Sequence, residues 1–280
     1  MVEIRKREQR DVLWVLRCLA AVFVAAFVFG AQAFAAPMYS VMSDGSVTLV
    51  DSEVPELPGG APQPDRSLDA GAITFNITYD DPLDAGFNDP TYGADRKARL
   101  EAVLTYVGEI LGELGTLDVL VYASNYSGTG RMVIAGTDYN STSGWQNGNI
   151  YERLRTGEKP RPGFAELRMK VNWGFNWYVG SGQPAPDEYD LFSVLLREIT
   201  RALGVTTLAN SDGSSSIGTS AYSVWDSFLE TGTGVPLFVE NEGTPTFSPD
   251  ATQADLTGAR DGVVFNGPNA VAAFGGPGPV

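Results

Sequence analysis

Apolar residues occupy every second position in Ile73-Thr74-Phe75-Asn76-Ile77-Thr78-Tyr79, so alternate side chains face one side, and this period predicts a half-buried strand. Asp80-Asp81-Pro82 ends it with turn-forming residues. Over 95–113 the period lengthens: Leu100, Val103, Leu104, Val107 and Leu111 fall on one helical face, with Gly112 and Gly115 near the stop. Residues 117–122 and 131–135 read as two more strands around an Asn/Ser/Gly turn at 124–130. A long polar loop is then expected, reaching about Gly163. Residues 166–172 alternate again. Leu167, Met169 and Val171 are expected to pack, while Arg168, Lys170 and Asn172 on the other face are expected to meet solvent. A second long helix is predicted over 190–203, with Leu191, Val194, Leu195, Ile199 and Leu203 on its apolar side and Gly204 as its stop. Beyond it the chain is rich in Gly, Pro and Ser and shows neither a long periodic segment nor an internal repeat.

Length and composition fit this picture to one main core. The chain has 280 residues, 43% hydrophobic and 19% charged. Arg5, Lys6, Arg7 and Arg10 precede an apolar run from Leu19 to Phe29, and Ala33-Phe34-Ala35 then supplies a small-residue cleavage pattern. Residues 1–35 therefore read as a signal peptide, and the protein as exported. The one membrane contact to expect is through this leader left uncleaved, since 12–36 is nearly long enough to span if Arg17 reaches an interface. Residues 36–71, with Pro, Gly and Asp concentrated from Val54 to Asp69, read as a flexible lead-in, and folding is expected from Ala72.

Charge narrows the partners. There are 19 Lys plus Arg against 34 Asp plus Glu, a net −15. Residues 1–35 carry five basic and three acidic side chains, so without them the balance is −15 − 2 = −17. Such a surface disfavours nucleic acid and anionic lipid. Cys18, the only cysteine, lies in the leader, and the remainder has no thiol for a disulfide, a metal or covalent catalysis.

The chain contains no histidine. That excludes Ser-His-Asp and Cys-His catalysis, and no phosphate-binding glycine motif is present. Carboxylates are left as acid or base; Glu198 with Asp226 is one conceivable glycosidase pair, though no spacing singles it out. Asp80, Asp81, Asp84 and Asp89 crowd one loop, and Asn210-Ser211-Asp212-Gly213-Ser214 alternates oxygen donors. Calcium is one reading of both stretches and turn chemistry is the other. Trp145, Trp173, Trp177 and Tyr178 offer either a binding surface or, as aromatics beside strands usually do, core. Asn76-Ile77-Thr78 and Asn140-Ser141-Thr142 match the glycosylation pattern.

The second helix reads Ser193-Val194-Leu195-Leu196-Arg197-Glu198-Ile199-Thr200-Arg201-Ala202-Leu203-Gly204, which resembles the active-site helix of the metzincin zinc peptidases, in a secreted bacterial branch. That helix carries H-E-x-x-H-x-x-G-x-x-H: two histidines one turn apart grip zinc, the glycine turns the chain, and a third histidine comes after it. Laid on this chain, the ligand positions fall on Arg197, Arg201 and Thr207, the turn on Gly204, and the general base on Glu198. The segment 222–229, Tyr-Ser-Val-Trp-Asp-Ser-Phe-Leu, is similar to the stretch just beyond the active-site helix in that family. The resemblance covers about 72–230. It implies a zincin-like α+β domain: a twisted mixed sheet, two long helices with the second beneath a cleft, strand 166–172 as the cleft's edge, and an irregular Gly/Pro-rich subregion over 231–280.

The departures govern function. A guanidinium is permanently charged and has no lone pair, so Arg197 and Arg201 repel a metal ion rather than bind it. The family's methionine turn is also missing, because no Met occurs after Met169. Zinc is therefore expected to be absent, and Glu198 to be a vestigial base. Arg197, Arg201 and Glu198, with Asp187, Glu188 and Asp190 upstream, are expected to form solvated ion pairs, unless the two guanidinium groups grip an anion. The expected function is that of an exported, catalytically inactive peptidase-like protein binding a peptide or surface partner along the 166–172 edge. The alternatives are a hydrolase that uses Glu198 with unusual or no metal ligands, and an extracellular structural or surface protein.

Overall fold

The alternation at 73–79 does form a strand, placed second in a five-stranded sheet in the computed structural model of the chain. The structure describes residues 66–70, 73–112, 115–124, 132–139, 143–217, 219–257, 262–268, 271–272 and 278–279. The expected leader, most of the lead-in and the Asn140 glycosylation pattern lie outside the described residues.

The sheet is built from β1 (Arg66–Ala70), β2 (Ile73–Tyr79), β3 (Gly115–Ser124), β4 (Val133–Gly136) and, later in the chain, β6 (Leu167–Asn172). Its order is β1-β2-β3-β6-β4. Strands β2, β3 and β6 run parallel, and the two outer strands run antiparallel to their neighbours. The architecture is therefore mixed α+β. Register places Phe75 beside Leu117, Ile77 beside Val119, and Val119 beside Leu167, so one face is a continuous apolar surface.

Helices α1 (Gly93–Leu111) and α3 (Leu191–Ala202) share one core with that face. In α1, Leu100, Val103, Leu104, Val107 and Leu111 are buried at the predicted spacing, and Gly112 closes the helix with a left-handed φ of 59°. In α3, Leu191, Leu195, Leu196, Ile199 and Ala202 are buried. Asp190 caps α3 by accepting from the Ser193 amide at 3.0 Å, and it accepts from Arg99 of α1 at 3.1 Å. One carboxylate thus fixes the start of α3 and ties it to α1.

Four expectations need correction. The expected lead-in over 36–71 contains a strand, β1, which pairs along its whole length with β2; Leu68 is the only large apolar residue in 66–70, too little to show a period. The expected loop before Gly163 contains β5 (Ser143–Gln146) and a nine-residue helix, α2 (Gly148–Thr156), whose apolar side is Ile150, Tyr151 and Leu154. The polar face of β6 does not meet solvent: Arg168, Lys170 and Asn172 are buried, Arg168 paired with the buried Asp138, which also accepts from Arg161 at 2.9 Å. Finally, β6 is not an edge, since β3 and β4 bond to its two sides.

Two-residue strands β7 (Trp177–Tyr178) and β8 (Tyr189–Asp190) pair in parallel just before α3, and past α3 short strands replace the expected irregular subregion. β9 (Ser220–Ser223) pairs with β5, β10 (Leu229–Thr231) pairs with β13 (Val263–Phe265), and β11 (Phe238–Asn241) forms a hairpin with β12 (Thr244–Phe247). They enclose a second core of Tyr222, Leu229, Leu237, Phe238, Ala251 and Phe265, with Trp225 stacked on Phe265 at 4.1 Å between ring centroids. Trp145 packs into it and donates its indole N–H to Glu240 at 2.9 Å. Trp173 and Trp177 instead pack on the main core, with the Arg96 guanidinium 4.3 Å over the Trp173 ring.

Candidate functional site

Because α3 is held at its first turn, the positions of Arg197, Glu198 and Arg201 are set by helix geometry. Glu198 points inward and is only 1% exposed. A bare carboxylate at such depth is costly to desolvate, so it needs a cation. Arg197 supplies one: its Nη1 lies 2.5 Å from Glu198 Oε1, and Arg201 Nη1 stands 4.0 Å from the same oxygen. The arginines at the first two ligand positions of the motif therefore converge on its acid.

This is not the solvated cluster expected from the sequence. Its anionic centre is buried, and the upstream acids turn elsewhere. Asp187 accepts from the Asn176 amide group, Glu188 accepts from the Ala185 amide, and Asp190 serves Ser193 and Arg99. Arg197 is the outward member, with 49% of its side chain exposed.

Past the helix, Gly204 adopts a φ of 109°, a conformation side chains rarely tolerate, and turns the chain away from the helix axis. Thr207, at the third ligand position, is exposed; its hydroxyl accepts from the Ala209 amide at 3.0 Å. The turn after Gly204 is fastened by Asp226, which is fully buried. Asp226 Oδ2 accepts from the amides of Leu208 at 3.0 Å and Ser223 at 2.8 Å, while Ser223 Oγ donates to the Thr206 carbonyl at 2.6 Å. Burial pushes the Asp226 carboxyl up to about 6, against the pull of the Thr207 hydroxyl and of the Leu208 and Ser223 donors. Sequence reading offered Asp226 only as a glycosidase partner for Glu198. Its neighbours make it a structural fastener instead, and Glu198 is engaged with Arg197.

The residues at the three ligand positions do not fit zinc. Two are guanidinium groups, the third is a hydroxyl, and the acid beside them is neutralised by one of the arginines. Both oxygen-rich loops are built by turn chemistry. Asp89 accepts from the Thr91 and Tyr92 amides, Asp81 from the Phe87 amide, and Asp212 from Ser214. Among the described residues no group of three or more acidic side chains is placed to hold a metal ion. Among them, too, no helix is long and apolar enough to cross a membrane. The Asn76 glycosylation pattern sits inside β2, where the Asn76 amide donates to Asp118 at 3.0 Å, so in the folded chain that nitrogen is committed.

Sequence reading missed the buried polar layer behind β6. Arg168 and Asp138 form its centre, and Glu166, accepting from the Asp118 amide at 2.8 Å, is pushed above the usual carboxylate range by burial. A strict alternation of charged and apolar residues carries no signal of burial on both faces. No family model matches the chain, and no curated protein or solved structure is significantly similar to it.

Proposed function

We propose that this chain is an exported, non-catalytic binding protein built on a metzincin-like scaffold whose zinc site has been replaced by an ion pair. The observation that carries the reading is the 2.5 Å contact between Arg197 and the buried Glu198. A general base must be free to take a proton from water, and a buried carboxylate oxygen already engaged by a guanidinium is not. The mixed sheet with two long helices, and the turn at Gly204, support the scaffold assignment.

Binding falls to a sheet edge. With β6 paired on both sides, the edge position passes to β4: among the described residues no strand pairs with its outer side, to which the register with β6 turns the backbone groups of Val133 and Ala135. An extended peptide can add there as a further strand, its main chain supplying the hydrogen bonds. The test is titration of the purified exported domain with unstructured peptides, repeated with Ala135→Pro, which removes a backbone donor that the register with β6 turns outward. Saturable binding that Ala135→Pro abolishes, in a variant that still unfolds cooperatively, supports the reading. Turnover of a peptide bond by the metal-free protein, lost in Glu198→Gln, would replace it with the hydrolase alternative.

A further inference from the structure

We infer that Arg197 is a carboxylate receptor, and that the partner of this protein presents a free C-terminal carboxylate to the outer side of α3. The inference rests on the peptide-binding reading above and names the chemical group that would be recognised.

Arg197 and Arg201 stand one helical turn apart on the same face, and like charges at that spacing disfavour a helix. Glu198 Oε1 lies 2.5 Å from Arg197 Nη1 and 4.0 Å from Arg201 Nη1. The helix cannot relieve the pair by shifting, because Asp190 holds its first turn to Ser193 and to Arg99 of α1.

Arg197 is also incompletely used. Its Nη1 serves Glu198, while about half of its side chain is exposed, so the guanidinium meets solvent with donors left over from the five that it carries. Being held by Glu198, it is already oriented, and an incoming ligand avoids the usual entropy loss of ordering a long cation. The complementary group is a planar anion that accepts two parallel N–H bonds. A peptide carboxylate has that shape and is what the end of an extended strand would present.

The test compares pentaalanine with a free C-terminus, pentaalanine amide, and an amidated pentapeptide with one central glutamate, each titrated against the whole exported domain. The expected result is that the free acid binds at least tenfold more tightly than the amide, and that the glutamate peptide does not recover the difference. Arg197→Lys keeps a cation beside Glu198, so the protein stays folded, but it loses the fork; the preference for the acid should fall to about threefold or less. Acid and amide binding equally tightly would overturn the inference while leaving the β4 edge reading standing. Recovery by the glutamate peptide would reassign the receptor to acidic side chains, overturning the terminal specificity. Undiminished preference in Arg197→Lys would overturn the role of Arg197.

Discussion

Asp226 offers a quantitative test of how the segment after α3 is held. Its carboxyl is fully buried and stands at about 6, against an ordinary value of 3.8. A carboxyl raised in the folded state binds its proton more tightly there than in the unfolded chain. Below pH 4 both states are protonated and the group costs nothing. Between pH 4 and 6 the unfolded chain ionises first, so stability falls as pH rises; above pH 7 both are ionised and the full cost remains. The difference of 6 − 3.8 = 2.2 corresponds to about 3 kcal/mol at 1.36 kcal/mol for each pH unit. Asp226→Asn keeps the shape and an oxygen that can accept from Leu208 and Ser223, but never ionises. Urea unfolding of both proteins, monitored by tryptophan fluorescence from pH 3.5 to 8, isolates the group by difference. Tyr139 and Tyr222, which feel the Asp226 charge, are raised above 10 and stay neutral throughout. The variant should gain about 3 kcal/mol on the natural protein between pH 4 and 7, with no further gain above. A difference that is constant with pH, or one that turns against the variant as pH rises, would refute the reasoning by showing that the ionised carboxylate is favoured in the fold.

Three further outcomes are expected. The triple substitution Arg197→His, Arg201→His and Thr207→His should take up about one zinc per chain by elemental analysis, while the natural protein takes up none; a folded triple variant that binds no zinc would remove the metzincin assignment of α3. Gly86→Ala should cost at least about 1–3 kcal/mol in chemical denaturation, because φ is 60° and the new methyl would collide with the Asp81 carboxylate and the Trp173 indole nitrogen. Phe265→Ala should cost about 3–5 kcal/mol by removing the ring stacked on Trp225, with a loss of Trp225 fluorescence anisotropy at lower denaturant than the loss of the main-sheet signal.

The main sheet and both long helices were legible because each carries its period over several apolar positions. Strand 73–79 was placed to the residue, and α1 and α3 to within two. Neighbours along the sheet were not legible. Nothing within 166–172 distinguishes an edge from an interior strand; that is decided by where β4 returns, a contact between residues such as Ala135 and Met169 that lie far apart in sequence. Likewise β1 and β5 are short strands with one large apolar residue each, and they exist because a partner strand is available. At the site, the convergence of Arg197 and Arg201 on Glu198 comes from helix spacing alone, but the depth of Glu198 does not, since burial depends on what the sheet and the turn after α3 bring over it.

The second core has a consequence for how this polypeptide can be cut. Tyr222, Trp225 and Leu229 lie before residue 230 while Leu237, Phe238 and Phe265 lie after it, and Trp145 reaches the same cluster from the stretch between β4 and α2. A chain shortened at 230 would thus leave half of a hydrophobic interior facing water, next to the turn fastened by Asp226. The boundary suggested by composition is therefore not a seam. Expression trials, limited proteolysis and fusion designs should keep the chain through Phe265 intact, and tags or insertions belong in exposed turns such as the one at Gly243.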